Sequence, residues 1–163
     1  MTIFRDFKLE DTELLIKHLN NENVIRYLTT RIPYPYTNAD AAWWIETGSK
    51  DGITKAIEFE GEFAGAIGIT RGEHQHSRQG EIGYWLGEKF WGKGIASKAV
   101  AQMTENIFST TDIVRLFAPV YNPNKASMHV LEKCNYKLDC VFEKSIFKNG
   151  EFFNEHIYSR IHS

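Results

Sequence analysis

The feature that most constrains this chain is a connection between a strand and a helix near its centre. Residues 82–86 form an apolar and aromatic run that is typical of a strand, and from Lys93 onward apolar residues recur at helical spacing. Gly92-Lys93-Gly94 lies between the two patterns. The sequence therefore predicts a strand that ends near Leu86, a turn through small residues, and a helix from about Lys93 to Phe108.

This helix start has the properties of an anion site. The first amides of a helix have no partner within it, and the helix dipole is positive there. Glycine lets a diphosphate approach the backbone closely, and Lys93 adds a positive charge. The GxxxxGK[ST] pattern of a P-loop is absent, and Ser97 stands where a dinucleotide fingerprint requires its third glycine. We therefore predict a different phosphate ligand; an ordinary tight strand–helix connection is the alternative.

Length and composition limit the classes of function. With 163 residues, the chain is expected to form one domain over residues 1–163. A net charge of −2 gives no general attraction to nucleic acid or to an anionic membrane. The chain has no apolar run of membrane-spanning length, its start does not resemble a signal peptide, and its two cysteines lack metal or redox spacing. A reduced, cytoplasmic setting is expected.

The periodic segments predict the element order βαα–ββ–β–α–β–α–ββ, which describes an α/β (α+β) single domain with a mixed, mostly antiparallel sheet. Asp11 is predicted to cap the first helix, and Thr37 with Asp40 to form a capping box at the third. His18, on the apolar face of the first helix, is predicted to be a packed or rim residue.

Two signals locate the last strands. Pro119 has no amide hydrogen, so the strand predicted over residues 113–121 cannot be fully paired on both sides. Lys148-Asn149-Gly150 predicts a type I′ turn within a final hairpin of residues 136–147 and 151–161. Asn135 is predicted to end the preceding helix in the left-handed conformation.

Three motifs in order resemble the GNAT N-acetyltransferases over nearly the whole chain. The segment from Trp91 to Ala96 is similar to the acetyl-CoA loop of that family, and the tryptophan resembles the branch of the Rim-type ribosomal-protein N-terminal acetyltransferases. The run from Glu81 to Leu86 and the segment from Asn124 to Lys133 resemble that branch too. The resemblance implies a seven-stranded sheet with splayed central strands, about four helices, acetyl-CoA as donor and no metal.

The resemblance also implies individual roles. Glu81, on the strand face opposite Ile82 and Tyr84, is the candidate base; a solvent-exposed carboxylate at a strand start is the alternative. Ser127 is the candidate residue beside the CoA sulfur, where a proton donor to the leaving thiolate would stand. Leu131 occupies the position at which many GNAT enzymes have a tyrosine that acts as general acid. Amides around Trp85 and Leu86 are the expected oxyanion donors. The full set of predicted cofactor contacts is Tyr84, Trp85, Leu86, Trp91, Gly92, Lys93, Gly94, Ile95, Ala96, Ser97, Asn124 and Ser127.

The acceptor side is the least defined. By resemblance, Tyr34, Tyr36 and Trp43 wall the acceptor pocket, although aromatic residues there can equally be core packing. His74 and His76 lie in a polar loop without a third ligand, so no metal site is predicted. A covalent acetyl-cysteine route through Cys134 or Cys140 is disfavoured against direct attack by the amine, because free cysteines are usually buried.

The combined prediction is a cytoplasmic, acetyl-CoA-dependent N-acetyltransferase that acts by direct transfer in a ternary complex. Its acceptor is a protein N-terminus or a small amine such as a polyamine, amino acid or antibiotic; neither nucleic acid nor membrane is expected as a partner. The resemblance also allows a homodimer. The alternative is a non-catalytic CoA-binding sensor or partner-binding module, which Leu131 in place of tyrosine keeps open.

Overall fold

The computed structural model describes residues Met1–Ser163. It contains seven strands and five α-helices: β1 Thr2–Arg5, α1 Thr12–Leu19, α2 Glu22–Ile25, α3 Asn38–Glu46, β2 Ile53–Phe59, β3 Glu62–Arg71, β4 Gln79–Leu86, α4 Ile95–Thr110, β5 Arg115–Tyr121, α5 Lys125–Lys133, β6 Lys137–Lys148 and β7 Glu151–Ile161. The strands form one sheet in the order β1-β2-β3-β4-β5-β7-β6. The predicted order of elements is confirmed except between β1 and β2, where three helices stand instead of the predicted two, so that the total is five rather than about four.

The sheet is mixed and mostly antiparallel, as predicted. The pairs β1–β2, β2–β3, β5–β7 and β6–β7 are antiparallel, whereas β4 pairs with β5 in parallel. The parallel ladder is short, because it joins only residues 79–81 to residues 115–117. Pro119 follows the end of that ladder, where no β4 partner requires the hydrogen that proline lacks. The ladder between β4 and β5 therefore ends before Pro119.

The chain divides into two compact units, Met1–Ile69 with Gly83–Ala99, and Thr70–Ile82 with Val100–Ser163. The first unit has a core of buried apolar side chains from α1, α3 and the first strands: Phe7, Leu15, Leu19, Tyr36, Ala41, Ile45, Ala56, Phe63 and Ala66. Leu15 and Leu19 repeat at four-residue spacing on α1, so one face of that helix is buried.

The second unit has its own core. The buried face of β5 consists of Leu116, Ala118 and Val120, which alternate with half-buried residues as strand geometry requires. The other buried apolar residues of this unit include Met103, Ile107, Met128, Leu131, Tyr136 and Tyr158. The hydroxyls of Thr104 and Tyr136 form a buried hydrogen bond of 2.8 Å, so these two polar groups are paired within the core.

Most local predictions are confirmed. The capping box at α3 is present, with the Asp40 amide 3.3 Å from the Thr37 hydroxyl and the Thr37 amide 2.8 Å from the Asp40 carboxylate. Asn135 has a φ of 64°, in the left-handed region, as predicted. Asn149 and Gly150 both have positive φ, which the type I′ turn of the final hairpin requires.

The prediction for Asp11 was right about its position at the N-terminus of α1 but wrong about its side chain. Asp11 precedes α1, but its side chain does not cap that helix. Its carboxylate is buried and accepts two hydrogen bonds of 2.8 Å from the Arg5 guanidinium and one of 3.0 Å from the Lys8 amide. A bidentate arginine is a stronger partner for a buried carboxylate than a helix amide, so the ion pair prevails over the cap.

Candidate functional site

The loop before α4 has the backbone that the glycines predict. After β4 ends at Leu86, one short 3-10 turn covers Glu88–Phe90 and the chain then reaches α4. Gly92 and Gly94 have φ values of +71° and +72°, which side chains disfavour. A Cβ atom added at either glycine would meet no atom within 4 Å, so open space lies beside both. A ligand can therefore approach this backbone closely.

The first amides of α4, beside that space in sequence, have no acceptor within the helix. The helical hydrogen bonds begin with the Lys98 amide, which donates to the Gly94 carbonyl at 3.2 Å. The amides of Ile95 and Ala96 precede this bond and have no partner within the helix. Gly94 occupies the capping position and has no side chain to accept from them. Because α4 extends over 16 residues, its dipole adds positive potential here, and these residues fit a phosphate group.

Trp91 ties the loop to the end of β4. Its indole Nε1 donates a hydrogen bond of 2.9 Å to the Leu86 carbonyl, while part of the ring remains exposed. Tryptophan at this position therefore links the glycine loop to the end of the strand. The hydrogen bond also fixes the direction of the last β4 carbonyl.

Lys93 is exposed, and its ammonium lies over two aromatic rings. The Nζ atom is 5.7 Å from the centroid of Phe90 and 6.0 Å from that of Phe59. Cation–π contacts of this length hold a positive charge in place at a modest free-energy gain. The predicted charge is thus kept beside the loop by Phe59 and Phe90, which sequence reasoning did not single out.

The two amides predicted as oxyanion donors face opposite ways. The Gly87 amide donates to the Ala64 carbonyl on β3 at 2.8 Å. Because amides alternate along a strand, the Trp85 amide also points towards β3, and the Leu86 amide points away from it. The position of the Leu86 carbonyl, which accepts from Trp91, agrees with this direction. Of the two, only Leu86 has an amide directed away from the β3 side.

A buried histidine supports the same segment. His18 is 5% exposed, and its ring packs edge-on against Trp85 and Phe90. A Cβ atom on Gly87 would overlap this ring, so glycine is required there. Burial lowers the pKa of His18, and its Nε2 has no hydrogen-bond partner. The sequence indicated a packed or rim histidine on the helix face, but no local pattern could reveal its contact with Gly87.

Glu81, Asn124 and Ser127 lie in the second unit. Glu81 is exposed and Ile82 is buried, so the predicted alternation of faces is present. Asn124 caps α5, because its Oδ1 accepts from the Ser127 amide at 3.2 Å. The Ser127 backbone is thus part of the cap. The catalytic and pantetheine-binding roles of these three residues stay predictions.

Two of the three residues that bear on alternative chemistries are buried, and one is exposed. Leu131, where many relatives of this fold have the acidic tyrosine, is fully buried in the core of the second unit. Cys134 is also buried, and burial raises the pKa of its thiol, which makes it a poorer nucleophile. Cys140 is exposed. The structure contains no group of three or more His, Cys, Asp or Glu residues that could hold a metal ion.

The three aromatic residues predicted to wall the acceptor pocket differ in exposure. Tyr34 and Trp43 are 53% and 59% exposed, and Trp43 packs against Trp44. Tyr36 is only 6% exposed and belongs to the core of the first unit. Burial raises the pKa of Tyr36 to about 12. Tyr36 is therefore a core-packing residue, which was the alternative interpretation, whereas Tyr34 and Trp43 are accessible to an acceptor.

None of the helices has both the length and the apolar composition that a membrane span requires.

Comparison with known proteins gives the family. The family model described as "Acetyltransferase (GNAT) domain" matches residues 2–137. The N-acetyltransferase YoaA of Bacillus subtilis is 28% identical over 96% of this chain and 91% of its own. The spermidine N(1)-acetyltransferase of Escherichia coli K12 is 21% identical over 92% of this chain and 80% of its own. A solved structure of RimL, a ribosomal L7/L12 alpha-N-protein acetyltransferase in complex with coenzyme A, has a TM-score of 0.86 at 22% identity, covering 99% of this chain and 94% of that one.

The fold of RimL and the open glycine loop before α4 agree with a family match that covers most of the sequence. This chain belongs to the GNAT family of acetyltransferases.

Proposed function

We propose that this protein transfers the acetyl group of acetyl-CoA to a primary amine by direct attack in a ternary complex. The observation that carries the proposal is the start of α4, where open space lies beside Gly92 and Gly94 and the amides of Ile95 and Ala96 have no helical partner. Such a start is suited to the diphosphate of a CoA thioester. The thioester supplies the acetyl group, and the CoA thiolate is a good leaving group because a thiol has a pKa of about 8.5.

The loop residues have distinct roles in this proposal. The amides of Ile95 and Ala96 donate to phosphate oxygens, and the dipole of α4 adds to their attraction. Lys93 contributes a charge that Phe59 and Phe90 hold near the loop. Gly92 and Gly94 keep the backbone accessible, because a bulky side chain there would occupy the space that the diphosphate needs. Tyr84, Trp91 and Ser97 complete the proposed set.

Leu86 is the proposed oxyanion donor. Its amide points away from β3, and the hydrogen bond from Trp91 to its carbonyl holds the peptide in one orientation. A fixed amide stabilises the oxyanion of the tetrahedral intermediate without reorganisation at the moment of reaction. Trp85 contributes through its ring, which packs against Phe63 and His18 and so supports the strand end.

Glu81 and Ser127 are the proposed acid–base pair. Glu81 would accept a proton from the amine, directly or through water, and Ser127 would donate a hydrogen bond to the departing sulfur. Asn124 would bind the pantetheine arm. A protein N-terminus has a pKa of about 7.7–8.0, so roughly a tenth of it is neutral near pH 7 and a modest base is sufficient. The buried Leu131 cannot act as acid, but a thiol leaves without a strong one.

The acceptor proposed is a protein N-terminus or a small-molecule amine. The names of two similar proteins represent the two classes, since one is a ribosomal alpha-N-protein acetyltransferase and the other a spermidine acetyltransferase. Tyr34 and Trp43, which are exposed in the first unit, are the proposed acceptor contacts. Acetyl-CoA consumption with a panel of N-terminal peptides, polyamines and amino acids separates the classes.

A CoA-binding sensor without catalysis is the second candidate, because Leu131 replaces the usual acid. Glu81→Gln decides whether Glu81 is the base. Full turnover by this variant between pH 6 and 9 would exclude that role. CoA binding with no turnover on any acceptor of the panel would favour the sensor.

The binding step is tested with CoA in a thermal shift assay on Gly94→Trp. Gly61→Trp is the matched control, because Gly61 also has positive φ (+84°) and open space beside it but lies in the β2–β3 turn. We expect CoA to stabilise the wild type and Gly61→Trp, but not Gly94→Trp. Equal stabilisation of all three proteins would remove the basis of the proposed function.

A further inference from the structure

The chain leaves the sheet after β5 through an unusual pair of asparagines. In the β5–β7 ladder Tyr121 pairs with Glu155, so Asn122 and Asn154 would form the next pair. The Asn122 amide donates to the Asn154 carbonyl at 2.9 Å, as in a regular ladder. The Asn154 amide, however, donates at 3.0 Å to Oδ1 of the Asn122 side chain. The side chain thus replaces its own backbone carbonyl as acceptor, which frees the backbone to turn towards α5.

This turn leads directly to the start of α5. The Asn124 amide donates to the Tyr121 carbonyl at 2.9 Å, and Asn124 Oδ1 accepts from the Ser127 amide at 3.2 Å. Pro123 lies between Asn122 and Asn124 in sequence, and it restricts the backbone of Asn122 to the extended region. The backbone between the Asn122–Asn154 pair and the α5 cap therefore has few freely rotating torsion angles.

The side chain of Asn154 also accepts a hydrogen bond from β6. Its Oδ1 accepts from the Lys144 amide at 2.9 Å. Lys144 has a φ of +51° and lies where the β6–β7 register shifts between Phe142 and Ile146. The bulge of residues 143–145 thus faces Asn154, whose side chain satisfies an amide that the irregular ladder cannot pair. Asn154 joins the bulge of β6 to the exit of β5.

We infer that Asn122 and Asn154 are positioning residues that hold Asn124 and Ser127 where the pantetheine arm of CoA binds. The inference rests on the proposed function, because that function assigns Asn124 and Ser127 to the arm. Neither asparagine needs to touch the ligand. Each acts through a hydrogen bond that an apolar residue cannot make, and together they fix the end of β5 from which α5 begins.

The test compares Asn122→Leu with Asn122→Asp and uses two ligands. Leucine removes the acceptor for the Asn154 amide at nearly the same volume, whereas aspartate keeps an oxygen in that position. CoA carries the pantetheine arm, and ADP carries a diphosphate without it. We expect Asn122→Leu to bind CoA about fivefold more weakly, as loss of a hydrogen bond predicts, with ADP affinity within about twofold of wild type. Asn122→Asp should restore CoA affinity.

Asn154→Leu and Asn154→Asp repeat the comparison at the bulge, with the same expected pattern. If Asn122→Leu is too unstable to measure, Asn122→Ala removes the same acceptor with less steric change. An unchanged CoA affinity in the folded leucine or alanine variants would overturn the inference, and so would an equal loss for CoA and ADP, which indicates general destabilisation. Gly94→Trp, measured in parallel, distinguishes a failure of the proposed function from a failure of the positioning role alone. CoA binding that survives Gly94→Trp contradicts the proposed function itself, whereas its loss there with no effect at Asn122 contradicts only the positioning role.

Discussion

The starts of α4 and α5 are built in opposite ways. At α5, Asn124 accepts from the Ser127 amide, so the helix satisfies part of its own first turn with a side chain. At α4, Gly94 has no side chain, and the amides of Ile95 and Ala96 have no acceptor within the helix. A capped start is more stable, but it has fewer amides to offer. The uncapped start lacks that stabilisation and is available to an anion, which supplies the missing acceptors when it binds.

The two starts also depend on different supports. The α5 start is held by hydrogen bonds from the cap and from the exit of β5. The segment that leads to α4 has hydrogen bonds at Gly87 and Trp91, but it also depends on packing, because the His18 ring fills the space beside Gly87 and contacts Phe90. Mutations should therefore affect the first through lost hydrogen bonds and the second through altered packing.

The largest effect is expected at Gly87. Gly87→Ala places a methyl group where the His18 ring lies, and overpacking of this kind costs roughly 1–3 kcal/mol of unfolding free energy. Gly83→Ala is the control, because a Cβ there meets nothing within 4 Å. Chemical denaturation of both variants measures the difference. Equal stability of the two would mean that His18 does not constrain the segment.

The second effect concerns charge at the uncapped start. Gly92→Asn and Gly92→Asp add nearly the same volume at the same positive φ, so they differ in charge alone. At about 5 Å, repulsion between the aspartate and a phosphate charge is roughly 1–2 kcal/mol for an effective dielectric constant of about 40. We expect Asp to bind CoA about tenfold more weakly than Asn, with a gap that narrows as salt is raised. Equal affinities in a low-salt titration would place the diphosphate elsewhere.

The third effect concerns the capped start. Asn124→Ala should lower the unfolding free energy by about 1 kcal/mol, the usual cost of a lost helix cap, whereas Asn124→Asp keeps the acceptor for the Ser127 amide and should cost less. Thermal unfolding of the two variants without ligand provides the measurement. Identical losses in both would show that the cap contributes little to α5.

The smallest effect is a pH dependence from His18. Burial lowers its pKa in the folded protein and outweighs a hydrogen bond with the Phe63 backbone, which raises it. The nearby Lys89 and Lys17 lower the pKa further, while Glu62 raises it. The unfolded chain, with a pKa of about 6.5, therefore takes up the proton more readily. Unfolding free energy should fall as pH decreases from about 6.5 towards the folded-state pKa. In His18→Phe this component should disappear, and an unchanged pH profile in that variant would exclude His18 as its source.

Local patterns predicted the parts of the molecule that local interactions determine. The α3 capping box, the Asn149-Gly150 turn and the glycine turn before α4 each depend on residues within a few positions of one another. For the same reason the family motif at Trp91 to Ala96 could be recognised from sequence alone.

Most of the features that sequence reasoning missed depend on distant residues. His18 meets Gly87 across 69 positions of sequence. The Arg5–Asp11 ion pair is the exception, because its residues are only six positions apart but do not form a capping pattern. Asn122 and Asn154 meet only through the β5–β7 register, which no short pattern specifies. The sequence predicted Tyr36 as part of the acceptor wall, but Tyr36 is buried. Its burial depends on how α1 and α3 pack, which no local pattern specifies.

The most direct test of the account is an experimental structure of the protein with CoA bound. The account predicts that the diphosphate accepts hydrogen bonds from the amides of Ile95 and Ala96, beside Gly92 and Gly94. A diphosphate bound elsewhere, with those amides still facing solvent, would contradict it.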